Sequence, residues 1–186
     1  MSQLKRNEIL EKIKAGQSFQ GVDLTGADLS YEVLKGADLA GADLTEAHLQ
    51  NSNLEGANFA GANITRAFMF GCNLMNANMD GVRGEDTNLQ DSNLENASIK
   101  GASLQHAALL GSSLDRANLS GSSLVRCRLK RASLRGAKLD NANLEDAHLV
   151  RSDLTNASLK NANLKGATLN NAITDGADFE GALGLS

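Results

Sequence analysis

A large apolar residue falls at every fifth place along almost the whole chain. In the stretch 37–64, ADLAGADLTEAHLQNSNLEGANFAGANI, these are Leu39, Leu44, Leu49, Leu54, Phe59 and Ile64. Two places before each stands a small residue: Ala37, Ala42, Ala47, Ser52, Ala57 and Ala62. The frame runs without insertion or deletion from Phe19 to Phe179, and of the thirty large-residue positions from Leu24 to Leu169 only Gly84 is not apolar. A period of five matches neither the helical repeat of about 3.6 nor the strand repeat of about 2. A helix would spread these leucines around its whole circumference, so one long helix is excluded.

A longer period lies under the first. Gly21, Gly41, Gly61, Gly81, Gly101, Gly121 and Gly181 recur every twenty residues, with Asn141 and Asn161 continuing the series. Twenty residues are four pentads, which predicts a square coil climbing one layer per turn. Gly and Asn tolerate the positive φ that the third place of a type II turn requires, so this column predicts one stacked corner. The strings ADLAG at 37–41 and ANLKG at 162–166 resemble the pentapeptide-repeat proteins, and the resemblance covers roughly nine tenths of the chain. It implies an all-β solenoid, a right-handed quadrilateral β-helix with the Leu and Ala positions pointing inward, and says little about function. Length and period give about eight 20-residue coils, a rod roughly 40 Å long at strand spacing.

Residues 2–15 break the rhythm and predict a short α-helix, with Leu4, Ile9, Leu10 and Ile13 on one face and charged residues elsewhere. Gly16 supplies its stop. A β-helix exposes unpaired backbone at its first coil, and solenoids need caps there. The expected organisation is a cap, 1–16, and one β-helix domain, 17–186. Glu32 stands where Ala is expected, and a carboxylate cannot sit unpaired in a dry stack. A bulge in that coil and a partner on the cap helix, Lys12 or Arg6, are therefore predicted. Between Val82 and Thr87 the pattern weakens again. Gly84 lacks an inward side chain while Val82 is larger than usual, which fits volume compensation or, alternatively, a bulge or small binding notch. At the far end Thr174 replaces Leu, followed by Phe179, Leu183 and Leu185, and no closing helix is predicted. The last coil is then stoppered by its own tail or paired with a second molecule.

Composition adds little to this picture, and charge adds more. There is no Pro and no Trp, and aromatics make up 3%. Absent Pro suits a backbone hydrogen-bonded from coil to coil. The net charge is −4, but residues 17–95 hold 12 acidic and 3 basic groups whereas 96–170 hold 5 and 11. The rod is thus electrically polar along its axis. Cys72 and Cys127 both take the small inward position nearly three coils apart, about 13 Å at strand spacing, beyond the reach of a disulfide. The N-terminus lacks the long apolar run of a signal or membrane span, so a cytoplasmic bacterial protein is expected.

The sequence offers no catalytic constellation. His48 and His148 share a column but stand about five coils, roughly 24 Å, apart, and His106 is on another side. With both cysteines inward, no metal-ligand spacing occurs. Neither a cofactor nor a metal is expected, and the chain is not expected to be an enzyme. The candidate interface is one wall. Mapping by twenties places Tyr31, Phe68, Phe70, Leu110 and Val150 outward on the same side as Arg128, Lys130, Arg131, His148 and Arg151. Exposed apolar groups beside arginine are what protein interfaces favour. The sequence therefore reads as a non-enzymatic protein-interaction scaffold, monomeric or dimerised end to end through its C-terminus. An alternative follows from the family resemblance: some such proteins imitate duplex DNA in width and charge at the DNA site of gyrase, a role the acidic half could fill. The missing outward loop, the absent C-terminal helix and the basic second half depart from that pattern. Nucleic-acid binding by 126–138 is disfavoured by the negative net charge and the lack of interleaved aromatics.

Overall fold

In the computed structural model, which describes residues 6–184, parallel bridges join residues twenty apart throughout, from Asp23↔Asp43 to Asn163↔Leu183. Each side of a coil is too short for an extended strand and contributes a single bridging residue, so the chain is a β-helix solenoid with four sides per coil. The large and small positions of each pentad face inward, and the columns from Leu24 to Leu164 are buried.

The pentad satisfies its own backbone. Around Leu44, the Asp43 amide donates to Val22 O below (2.9 Å), while the amides of Leu44 and Glu46 donate to Asn63 O and Thr65 O above (2.7 and 3.0 Å). Ala47 N closes the turn on Leu44 O at 2.9 Å. The one amide left over, Thr45 N, donates to the side chain of Asp43 at 3.0 Å. That is why Asp or Asn precedes so many of the leucines: its carbonyl or carboxylate oxygen takes the amide two places on. Every fifth residue from Gly21 to Gly181 has φ between 54° and 71°, as the corner requires. Eighteen of the residues with positive φ are not glycine.

Where Ser replaces that Asp or Asn, a carboxylate from the coil below can step in. Ser98, Ser133 and Ser158 each donate to Asp80, Asp115 and Asp140, and the amides of Lys100, Arg135 and Lys160 donate to the same oxygens. Asp115 is the most enclosed, with the Arg135 guanidinium 2.6 Å from its other oxygen. Burial pushes the Asp115 carboxyl up, but Arg135, the Ser133 hydroxyl and the Arg135 amide outweigh it and hold the group below its ordinary value. A depressed carboxyl stabilises the fold above the unfolded pKa of about 4, and that contribution disappears as pH falls through the folded value. Asp115→Asn is expected to cost about 1.5–3 kcal/mol at pH 7 and progressively less as the pH falls below the ordinary carboxylate range, read from urea melts across that pH series. A cost that stays constant down to the acid unfolding of the native chain would disprove the pairing.

Helix α1, Arg6–Lys14, covers the first coil. Residues 2–5 of the expected helix, Leu4 among them, and Leu185 lie outside the described residues. Ile9 is 1% exposed, and Leu10 and Ile13 pack beside it. Gly16, at φ 69°, ends the helix, with Gly16 N bonded to Ile13 O and Gln17 N to Lys12 O. Arg6 reaches over the open edge: its guanidinium donates to Asp28 O (3.2 Å), Ser30 O (2.9 Å) and Glu32 Oε1 (2.7 Å). Of the two partners expected for Glu32, Arg6 is the one found, and Lys12 pairs with Glu8 instead. The bulge expected there does not form. The Val33↔Asn53 bridge is intact, because the Ser52 hydroxyl takes the Glu32 amide at 3.2 Å and donates to Leu29 O.

Gly84 leaves no bulge or notch either. Its bridges on both sides are in register, and a Cβ there would stand 2.8 Å from Leu104 Cδ2 and 3.1 Å from Ile64 Cγ1. Leu104 and Ile64 close on the gap from the neighbouring coils, together with Thr87, so the missing volume is compensated. Cys72 and Cys127 are free and buried, donating to Leu49 O and Leu104 O. Burial pushes their thiols up to about 11 and about 12. Beyond Leu164 the stack opens: the inward Ala167, Leu169, Ala172 and Phe179 are only half-buried, and a groove is lined by Leu169, Ala172, Phe179 and Gly184.

Candidate interaction surface

The wall that carries the sequence-predicted residues is built by one column of bridges, Asp28↔His48↔Phe68↔Asn88↔Ala108↔Arg128↔His148↔Thr168. Phe70, Leu110, Lys130 and Val150 stand two places after members of that column, and Tyr31, Arg131 and Arg151 occupy its corner at φ 60–61°. All nine candidates therefore share one side of the solenoid. Tyr31 is widely exposed, Phe68 and Phe70 are about 40% exposed, and Leu110 and Val150 are half-buried. Phe68 lies flat on His48, with ring centroids 4.7 Å apart and planes 18° from parallel. One face of Phe68 is thus covered by the coil below. His106 is on the corner of the preceding side, beside Asp86.

Charge separates this wall from its neighbours. On the other sides most basic groups face acids one coil away, as in Arg66–Glu46, Lys100–Asp80, Arg116–Glu95, Arg126–Asp146 and Arg135–Asp115, while Arg83, Lys138 and Lys165 stand singly on separate stretches. Arg128, Lys130, Arg131 and Arg151 form no ion pair among the described residues, and from Ala108 to Asn171 the wall holds no carboxylate. The His148 ring meets the Thr168 hydroxyl at 3.4 Å. The backbone of this stretch offers donors as well, as it does at Lys35, Gln105, Val125 and Asp140 on other sides. Ala108, Arg128 and His148 replace the Asp or Asn that normally accepts the amide two places on. The amides of Leu110, Lys130 and Val150 donate to no group among the described residues. Sequence reasoning found the cluster and missed its unpaired state. Pairing each basic residue with the residues about twenty before and after it would have shown the difference.

Among the described residues no group of His, Cys, Asp or Glu is placed to hold a metal, and no helix is long and apolar enough to cross a membrane.

Comparison with curated proteins finds no match. Among solved structures, the chain is 28% identical to HetL, a pentapeptide repeat protein involved in heterocyst differentiation regulation from the cyanobacterium Nostoc sp. strain PCC 7120, over 97% of both chains, with a TM-score of 0.40. It is 18% identical to QnrB1, a plasmid-mediated fluoroquinolone resistance protein, over 83% of this chain and 88% of that one, with a TM-score of 0.50. A second Nostoc pentapeptide repeat protein is 30% identical over 53% of this chain and 84% of its own, with a TM-score of 0.44. The family model for pentapeptide repeats matches residues 18–56, 42–81, 77–114, 112–149 and 147–183. These segments take in the solenoid from its first coil to its last, and the chain belongs to the pentapeptide repeat family.

Proposed function

We propose that this protein is a non-enzymatic interaction scaffold of the bacterial cytoplasm: a right-handed rod of about eight coils, 17–186, closed at one end by the cap, 1–16. It presents the wall of Phe68, Phe70, Leu110, Arg128, Arg131 and Arg151 to a protein partner. The observation that carries this reading is the run of unpaired cations on a single side. Like charges stacked one coil apart repel each other, and other sides of the same rod relieve that repulsion with carboxylates. A wall held in a bonded solenoid also loses little conformational freedom on binding. It acts as a monomer or as a homodimer joined at the open last coil.

The test is the triple variant Arg128→Glu/Arg131→Glu/Arg151→Glu, whose positions are all exposed. Capture of the partner from cell extract by the tagged variant is expected to fall at least about tenfold. Undiminished capture would remove this wall from consideration. A second reading, imitation of DNA before a topoisomerase such as gyrase, draws on the net charge of −9 over 17–95. A supercoiling assay with added protein separates the two, and no effect at micromolar concentrations removes the second.

A further inference from the structure

We propose that the wall between Ala108 and Arg151 is a docking site for an acidic protein segment that also carries aliphatic or aromatic side chains. The inference rests on the scaffold reading and supplies the chemistry of the partner. Two independent features point to it. The side chains of this surface are cationic without any counter-charge: Arg128, Lys130, Arg131 and Arg151. The backbone there is also donor-rich, because the amides of Leu110, Lys130 and Val150 lack the side-chain acceptor that most pentads provide. Charged and uncharged donors then line successive coils about 4.8 Å apart, a spacing a run of carboxylates and peptide carbonyls can follow.

The choice between protein and polyphosphate comes from what lies among the donors. Val150 stands among the cations, Leu110 borders them one coil below Lys130, and Phe68 and Phe70 stand beyond it on the same side. Aliphatic side chains give a nucleobase nothing to stack on, and Phe68 already has one ring face against His48. The basic surface is short, two coils, and the coils before it carry the acidic half of the rod, so a long phosphate backbone would run onto like charge. An acidic segment with apolar residues meets both parts of the surface at once.

The probe is a short fluorescein-labelled peptide alternating glutamate and leucine, titrated against the full chain by anisotropy. A glutamine–leucine peptide of equal length and a single-stranded oligonucleotide of equal charge run beside it. The glutamate peptide is expected to bind at least about tenfold more tightly than either control. Affinity should fall about tenfold in the triple glutamate variant and by a smaller factor in Leu110→Gln, with circular dichroism of both variants unchanged. Equal binding of the glutamine peptide, tighter binding of the oligonucleotide, or indifference to the triple variant would overturn the proposal. The two readings fail separately. A cellular partner that is captured but not displaced by the glutamate peptide sinks this inference and leaves the scaffold standing. Peptide binding with no partner captured does the reverse.

Discussion

Leu104→Ala is expected to cost about 4–5 kcal/mol, and Leu124→Ala, one coil further along the same column, only about 2–3 kcal/mol. Both leucines are buried, at 1% and 0% exposure, and lose the same atoms. They differ in what lies beneath. Under Leu124 is Leu104, whereas under Leu104 is Gly84, whose missing side chain Leu104 itself covers. Truncating Leu104 therefore joins its own void to the one at Gly84, and the cost of a cavity rises with its volume. Urea denaturation of the two variants, with hydrogen exchange on the coils around residue 84, reads the difference. Equal costs would mean that the gap is filled by something other than Leu104.

Ile9→Asp is expected to detach α1 and drive the chain into larger assemblies. Ile9 is 1% exposed over the first coil, so the substitution forfeits about 1.5–3 kcal/mol of apolar burial and buries a carboxylate with no donor. The coil it covers has carbonyls, Asp28 O and Ser30 O, whose partner there is Arg6 on that helix. Released, they form a template for another chain. Arg6→Met removes those bonds but leaves Ile9 in place, so its effect should be smaller, about 1–3 kcal/mol. Light scattering after gel filtration measures the assembly state. An unchanged mass for Ile9→Asp would show that the cap is dispensable.

Most of the architecture was legible because it depends on properties each residue carries alone. Leucine is large and apolar at every fifth place, and glycine accepts positive φ at the corners. The same logic underestimates Arg66, Arg116 and Arg126, which sit at φ 55–58° although their intrinsic preferences oppose it. The ladders above and below fix the corner whatever residue stands there. The Arg6–Glu32 pair was legible since a half-buried carboxylate demands a donor, while the expected bulge was not realised because Ser52, twenty residues away, repairs the coil. The membership of the wall could be read by counting in twenties. Its lack of counter-charges could not be read from composition, because Arg128 and Arg126 are two residues apart and only the second meets an acid.

The inward pattern repeats at five residues while neighbouring layers align at twenty, and the two spacings give inserted segments opposite fates. One extra unit of five placed between Asn88 and Ala108 keeps every leucine packed, yet turns the whole remainder by a quarter revolution. Phe68 and Arg128 would then look in different directions. An insertion of twenty lengthens the molecule and restores their alignment. Whole layers can be gained or lost with the outer relief intact, whereas a single unit is silent to folding and scrambles what the exterior can touch.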